Sequence, residues 1–144
     1  MGEVSVKQII VTPLKRIPVV GGDVLHAMKS CDHGFVGFGE AYFSQIEQGA
    51  VKAWKRHMSM TLNLVVPVGA VQFVFVDDEG TAREEVVGSD RYVRLTVPPG
   101  IWFGFKGLAA PYSLLLNVAD IPHDPAEIER KDIEVFMFDW EGQR

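Results

Sequence analysis

Apolar and polar residues alternate along this chain in short runs separated by turn residues, and a 3.6-residue period is almost absent. Residues 4–11 alternate weakly and stop at Pro13; Pro18, Gly21, Gly22 and Asp23 mark a loop; 24–28 is a short strand and 31–34 a turn. The aromatic, glycine-bearing stretch 35–46 predicts a long bent strand, which 47–49 turns into a strand over 50–57. Strands over 62–68 and 71–76 flank Gly69, and DDEGT at 77–81 is a hairpin turn. In 91–97, Tyr92, Arg94 and Thr96 oppose Val93, Leu95 and Val97, until Pro98, Pro99 and Gly100 end the run. Strands over 101–105 and 112–118 follow. The one predicted helix covers 124–130 (DPAEIER), with Asp124 as N-cap and Pro125 in the first helical position. A last strand spans 134–140.

Nine or ten short strands with regular turns predict an all-β fold, a jelly-roll double-stranded β-barrel with one short C-terminal helix, formed as one domain over 1–144. Strand alternation puts Lys55 and His57 on one face, continued by Val51 and Ala53, with Trp54 and Arg56 on the other. A lysine and a histidine facing the hollow of a cupped sheet suit chemistry on an anionic ligand. Near neutrality an imidazole can take an acidic proton from beside a ketone while an ammonium stabilises the enolate oxygen, or the lysine itself acts as base. The competing interpretation is a half-buried strand whose Lys55 snorkels to solvent and whose His57 is hydrogen-bonded in the core.

Other candidates carry similar alternatives. Lys52 and Arg56, set on or near the face opposite Lys55, suit phosphate pairing, although Arg56 also suits a solvated charged edge. Tyr42 offers a phenolic acid or plain aromatic packing. Trp102, exposed by the VPPGIWFGF bend near the barrel mouth, could stack on a base or sugar, or cap the core. Asn63 and Asn117 are polar residues in apolar strands and need hydrogen-bond partners, from ligand or backbone, if buried.

Composition narrows the function. The hydrophobic fraction of 47% and charged fraction of 23% are those of an ordinary soluble domain, and a net charge of −5 argues against a nucleic-acid footprint. Anions must therefore be bound by a few placed cations. The single Cys31 excludes an internal disulfide and fits a reducing, cytoplasmic compartment. No apolar run is long enough to span a membrane, and MGEVSVKQII has no basic stretch leading into an apolar one, so no signal peptide is expected. The four histidines (His26, His33, His57, His123) show no HxH or HxxxH spacing, so no metal is expected. Phosphate-loop, dinucleotide and nucleophile-elbow motifs are absent.

The segment order GEAYFS, GAVKAWKRH, NLVVPVGAVQFVFVDD, VPPGIWFGF, LLLNVAD and HDPAE resembles the dTDP-4-dehydrorhamnose 3,5-epimerase family of cupin-fold proteins over about residues 35–140. The resemblance implies a jelly-roll homodimer without metal or organic cofactor. It would act on a nucleotide-linked 4-keto-6-deoxy sugar, in making deoxysugars for surface polysaccharide. The family's strand reads RGLHYQ, with its His as base; Lys55 stands at that position here and His57 two residues later. Leu116 and Asn117 stand where the family has its acidic Tyr and a Lys, Phe103 replaces a His, and Asp132 is the nearest counterpart of the Asp that orients the base. The related sugar 3,4-ketoisomerases carry two His at i and i+2, of which His57 matches the second. A non-catalytic sugar-nucleotide-binding cupin is the alternative of a different class.

Overall fold

A computed structural model describes residues 4–141; the first three residues of the N-terminal segment considered above lie outside them. Twelve strands run in the order β1 (Ile10–Pro13), β2 (Arg16–Ile17), β3 (Val24–Leu25), β4 (Glu40–Glu47), β5 (Val51–His57), β6 (Leu62–Val68), β7 (Ala70–Val76), β8 (Ala82–Gly88), β9 (Val93–Val97), β10 (Trp102–Gly107), β11 (Tyr112–Ala119) and β12 (Ile128–Arg130). One five-stranded sheet has the order β1-β9-β6-β11-β4 and the other β12-β5-β10-β7-β8, with β2 and β3 forming a separate hairpin. Every ladder between named strands is antiparallel. From β4 onward successive strands cross between two facing sheets, the β7–β8 hairpin excepted, which is the jelly-roll solution to burying two apolar faces.

The inner faces meet in a core of Leu62, Leu64, Val66, Phe73, Phe75, Leu95, Val97, Phe103, Phe105 and Leu115, among others. These are the apolar positions of the alternating runs, and full burial of each such side chain stabilises the fold by about 1.5–3 kcal/mol. Beyond the expected strands lies β8, whose charged Ala82–Gly88 sequence hides a hairpin partner of β7.

Two outer layers were not foreseen. On the outside of the second sheet, Trp54, Val74, Val76, Trp102 and Trp140 form a separate apolar cluster, joined by Val51, Ala53, Phe136 and Phe138. Phe136 meets Trp54 edge-on at 5.0 Å, and the Trp54 indole N–H donates to the Ile133 carbonyl at 3.0 Å. The predicted last strand over 134–140 is therefore no strand: its alternating aromatics lie over the sheet without joining a ladder. Gly104 permits this approach, because a Cβ there would stand 2.6 Å from the Ala53 Cβ and 3.2 Å from both Trp54 and Trp140. On the outside of the first sheet, the polar set of β9 is covered by the segment 26–35. Arg94 is fully buried, donating to the carbonyls of Ala27 and His33 at 2.7 and 3.1 Å and facing Asp32 at 3.3 Å.

The C-terminal helix is also corrected. Only Pro125–Glu127 is helical, as one 3-10 turn capped by Asp124, whose side chain accepts from the Ala126 N–H at 3.0 Å. Residues 128–130 then leave as β12 and pair with β5. The Asp-Pro start is as expected, but the ladder with a strand some 70 residues earlier overrides helix propensity beyond it.

Finally, β5 is bulged. Phe103 pairs with Lys55 and Gly104 with Ala53, which leaves Trp54 as the extra residue. A bulge resets the alternation behind it. Val51 and Ala53 consequently pack in the outer tryptophan cluster and do not continue the Lys55/His57 face as expected. Lys52, expected opposite Lys55, pairs with Phe105 and joins the Lys55 side.

Candidate active site

The bulge leaves the end of β5 aimed between the sheets. Lys55 and His57 line a cavity of about 70 Å³ together with Tyr42 and Ser44 of β4, Leu62 and Leu64 of β6, Phe103 and Phe105 of β10, and Leu115 and Asn117 of β11. Around its mouth lies a cleft of about 470 Å³ bordered by Lys52, Trp54, Lys55, Arg130, Lys131 and Asp132. Lys55, Phe103 and Phe105 belong to both walls, so the two spaces adjoin. Four cations against one carboxylate make the cleft locally basic on an acidic protein.

His57 is buried and held in a defined orientation. Its Nδ1 lies 2.5 Å from Oε2 of Glu127, while the other Glu127 oxygen accepts from the N–H groups of Ser59 and Met60 at 2.9 and 3.1 Å. The 3-10 turn and β12 together bring Glu127 to this point, because Ile128 pairs with His57 itself. With Nδ1–H donating to the carboxylate, Nε2 carries the lone pair. It is buried, has no protein partner, and belongs to a ring that lines the cavity. Phe103 stacks near-parallel to the imidazole, 6.1 Å away.

The electrostatics follow from this packing. Burial pushes the His57 pKa below its ordinary 6.5; Glu127 pulls it back up, but Lys55 and His123 add to the downward pressure. Burial opposes the Glu127 charge, yet hydrogen bonds from His57, Ser59 and Met60 outweigh it and keep the carboxyl below its usual range. Burial also lowers Lys55, helped by Arg130 and Lys52 and opposed by Glu127.

Opposite this wall, the Tyr42 phenol oxygen accepts from Asn117 Nδ2 at 3.2 Å, and Asn117 Oδ1 accepts from the Asn63 N–H at 3.1 Å. Tyr42 and Asn117 are direct cross-strand neighbours, and Asn117 fixes the phenol at the rim.

The cavity and cleft thus gather Lys52, Lys55, His57, Tyr42 and Asn117. Three other expected site residues lie elsewhere. Trp102 is buried in the outer cluster, because it neighbours the inward-facing Phe103 along β10. Arg56 stacks on the Trp102 ring at 4.7 Å and is paired with Asp78 at 3.0 Å and with Glu129, so its guanidinium is saturated on the outer face. Asn63 faces the segment 26–35, donating to the Gly34 carbonyl at 3.2 Å and accepting from Thr96 Oγ1 at 2.5 Å. Asp132, the nearest counterpart of an orienting acid, sits in the cleft wall while Glu127 holds the histidine. Glu127, Arg130 and Lys131 are not among the residues expected from the sequence, because the predicted helix over 124–130 spans two of them. A carboxylate directly after Asp-Pro-Ala, in a chain needing a histidine partner, was the available signal. Among the described residues, no three His, Cys, Asp or Glu side chains gather as a metal site requires, and no helix is long and apolar enough to cross a membrane.

Two facing antiparallel sheets with a histidine–carboxylate pair inside define a cupin-type barrel. No family model matches the chain. A dTDP sugar isomerase from Desulfovibrio desulfuricans G20 is 35% identical, superimposes with a TM-score of 0.91, and is matched over 96% of this chain and 94% of that one. The dTDP-4-dehydrorhamnose 3,5-epimerase from Sulfolobus tokodaii shares the fold at 20% identity, with a TM-score of 0.81 over 97% of this chain and 85% of that one. A probable low-salt glycan biosynthesis epimerase of Haloferax volcanii is 28% identical over 106 residues, which span 69% of this chain and 66% of that protein. The chain belongs to the dTDP-4-dehydrorhamnose 3,5-epimerase-like family of cupin-fold dTDP-sugar isomerases and epimerases.

Proposed function

We propose that this protein is an epimerase or isomerase of a nucleotide-linked 4-keto-6-deoxy sugar, working without a cofactor by proton abstraction beside the ketone. The observation that carries the reading is the unpartnered Nε2 of His57, on a ring that lines a cavity together with Lys55 and Tyr42. A base held by a buried carboxylate keeps one tautomer and one direction, and its lowered pKa keeps it unprotonated at neutral pH.

The diphosphate belongs in the basic cleft, where Lys52, Arg130 and Lys131 stand around the cavity mouth. The sugar then reaches past Phe103 and Phe105, whose rings exclude water from the reacting carbons. His57 takes the proton from the carbon next to the ketone, Lys55 meets the ketone oxygen, and Tyr42 at the opposite rim returns a proton. Return to the other face gives an epimer; return to the former carbonyl carbon, with the neighbouring hydroxyl passing its proton to the former ketone oxygen and becoming the new carbonyl, gives a ketoisomer. The latter is a real second reading, because Lys55 and His57 occupy the i and i+2 positions that the resemblance gives to paired histidines in ketoisomerases.

Homodimerisation fits the outer side of β4 and β11, where Phe43, 62% exposed, stands in register with the half-buried Leu116. A cytoplasmic setting fits the exposed free Cys31. Deoxysugar supply for surface glycans is the role such a reaction would serve. Incubation with dTDP-4-keto-6-deoxyglucose in deuterated water tests the reading: deuterium should enter at C3 or C5, and its absence across several such sugars would leave only a binding protein.

A further inference from the structure

Three amines stand around the cleft, and they differ in what holds them. Lys52 is exposed and donates to the Gln45 carbonyl at 3.1 Å. Lys131 lies over the rings of Trp102 and Phe136 at 4.6 and 5.3 Å, a contact that favours its charged form. Lys55 is the only one of the three that reaches into the inner cavity, among Leu62, Leu64, Phe103 and Phe105. Of the described residues, none forms a hydrogen bond or ion pair with its amine; the cations Arg130 and Lys52 act on it electrostatically and the Glu127 carboxylate, bonded to His57, opposes them. An amine with no ion-pair partner of its own, desolvated and with cations outnumbering the one carboxylate that acts on it, is the environment that turns lysine from an ammonium into a nucleophile. The lowered pKa of Lys55 agrees with that.

A histidine at this position could act only as base or acid, whereas a primary amine has a further option with a ketone. We propose that Lys55 condenses with the 4-keto group of the sugar to form a ketimine, and that His57 removes the neighbouring proton from this covalent intermediate. The inference rests on the reading of the ligand as a keto sugar given above. The Lys55 lone pair adds to the carbonyl carbon, and the C=O π pair moves to oxygen. Transfer of a proton from nitrogen to oxygen gives the carbinolamine, and loss of the oxygen as water, with a second proton, leaves a protonated ketimine. His57 Nε2 takes the proton from the adjacent carbon; that C–H pair becomes a C=C bond, and the C=N π pair settles on nitrogen as an enamine. Reprotonation at carbon restores the ketimine, and one water hydrolyses it to ketone and free Lys55. Water and protons balance over the cycle, and no oxidant or reductant enters. The positively charged nitrogen is a stronger electron sink than a carbonyl facing an ammonium.

The test is reductive trapping. Wild-type protein is mixed with dTDP-4-keto-6-deoxyglucose and sodium cyanoborohydride, then read by intact mass and peptide mapping. One adduct per chain on the peptide carrying Lys55 is expected, and the same adduct should form in His57→Asn, which cannot complete the exchange. Lys55→Arg keeps the charge but cannot condense, and should lose deuterium exchange by on the order of 10³-fold. Exchange by the wild type with no trapped adduct would overturn the ketimine and leave the enolate reading standing. Trapping without exchange would keep the ketimine and remove His57 as the base. Neither trapping nor exchange would remove both.

Discussion

The two faces of β5 and β10 carry the same kinds of side chain and treat them in opposite ways. Outside, Arg56 lies on Trp102 and is paired with Asp78 and Glu129, while Lys131 stands between the two sides, over Trp102 and Phe136 and at the border of the cleft. Inside, Lys55 has no hydrogen-bond or ion-pair partner among the described residues, and His57 keeps one nitrogen bonded and one open. Cations beside aromatics therefore do not by themselves mark a site. Unspent hydrogen-bonding capacity alone does not separate the faces, since Trp140 Nε1 in the outer cluster is also buried without a partner; among the described residues, His57 is the one such group that lines the cavity, which a structural role does not explain.

The largest expected effect comes from the inner face. His57→Asn should lower turnover by about 10³–10⁴-fold while leaving the circular dichroism spectrum unchanged, since it removes a base and not a strand. Turnover within a few-fold of wild type would mean that proton abstraction lies elsewhere in the cavity, and Lys55 would be the next base to examine.

Next in size is the outer layer. Trp54→Ala empties a site filled by a fully buried indole packed on Phe136 and Trp140, and should cost about 3–5 kcal/mol of stability by chemical denaturation. The bulge that carries Trp54 also aims Lys55 inward, so a further loss of kcat in protein that remains folded is expected. A small stability loss would show that the C-terminal aromatics merely rest on the sheet.

The contrast between faces also shows what the sequence disclosed. Strands whose pattern is carried by the core alone were legible: β6 matches its expected limits at Leu62–Val68, and β7, β10 and β11 fall within one or two residues. Lys55, His57 and Tyr42 could be nominated because a titratable group in an apolar strand stands out. Three of the errors share one cause, a partner distant in sequence, whereas the place of Trp102 beside the inward-facing Phe103 follows from local alternation. The bulge at Trp54 exists only against Gly104, the β12 ladder only against β5, and the role of Glu127 only against His57. Phe136, Phe138 and Trp140 alternate like a strand, and nothing local distinguishes laddering from covering.

The histidine–carboxylate pair should respond to pH in a defined direction. The native His57 pKa lies below its ordinary 6.5, so the unfolded chain binds the extra proton first. Stability from this group is whole above 6.5 and is lost as pH falls through the lowered value. The acid limb of kcat/KM should likewise fall below 6.5. Glu127→Gln removes the charge that holds the pKa up and the imidazole in place; it should move that limb further down and reduce kcat by about 10²-fold, with KM changed less. A drop in kcat with no movement of the limb would make Glu127 a packing residue only. On the alkaline side the sign separates two roles for Lys55, whose pKa is lowered from 10.5. A condensing amine makes kcat/KM rise as Lys55 deprotonates, whereas an ammonium facing an enolate makes it fall over the same window.

The smallest effect belongs to Arg56, and it sharpens the comparison most directly. Its ion pairs with Asp78 and Glu129 are solvent-accessible, and pairs of that kind contribute roughly 0.2–1 kcal/mol. Stacking on Trp102 adds about as much again. Arg56→Ala should therefore lower the denaturation midpoint slightly, leave KM for the nucleotide sugar within two-fold or so, and make the remaining stability less sensitive to salt. The adjacent inner-face change Lys55→Ala should do the reverse, with little effect on the midpoint and a large one on turnover. If Arg56→Ala instead raised KM several-fold, the diphosphate would be reaching around β5 to the outer face, and the division of labour between the two sides of this strand would have to be redrawn.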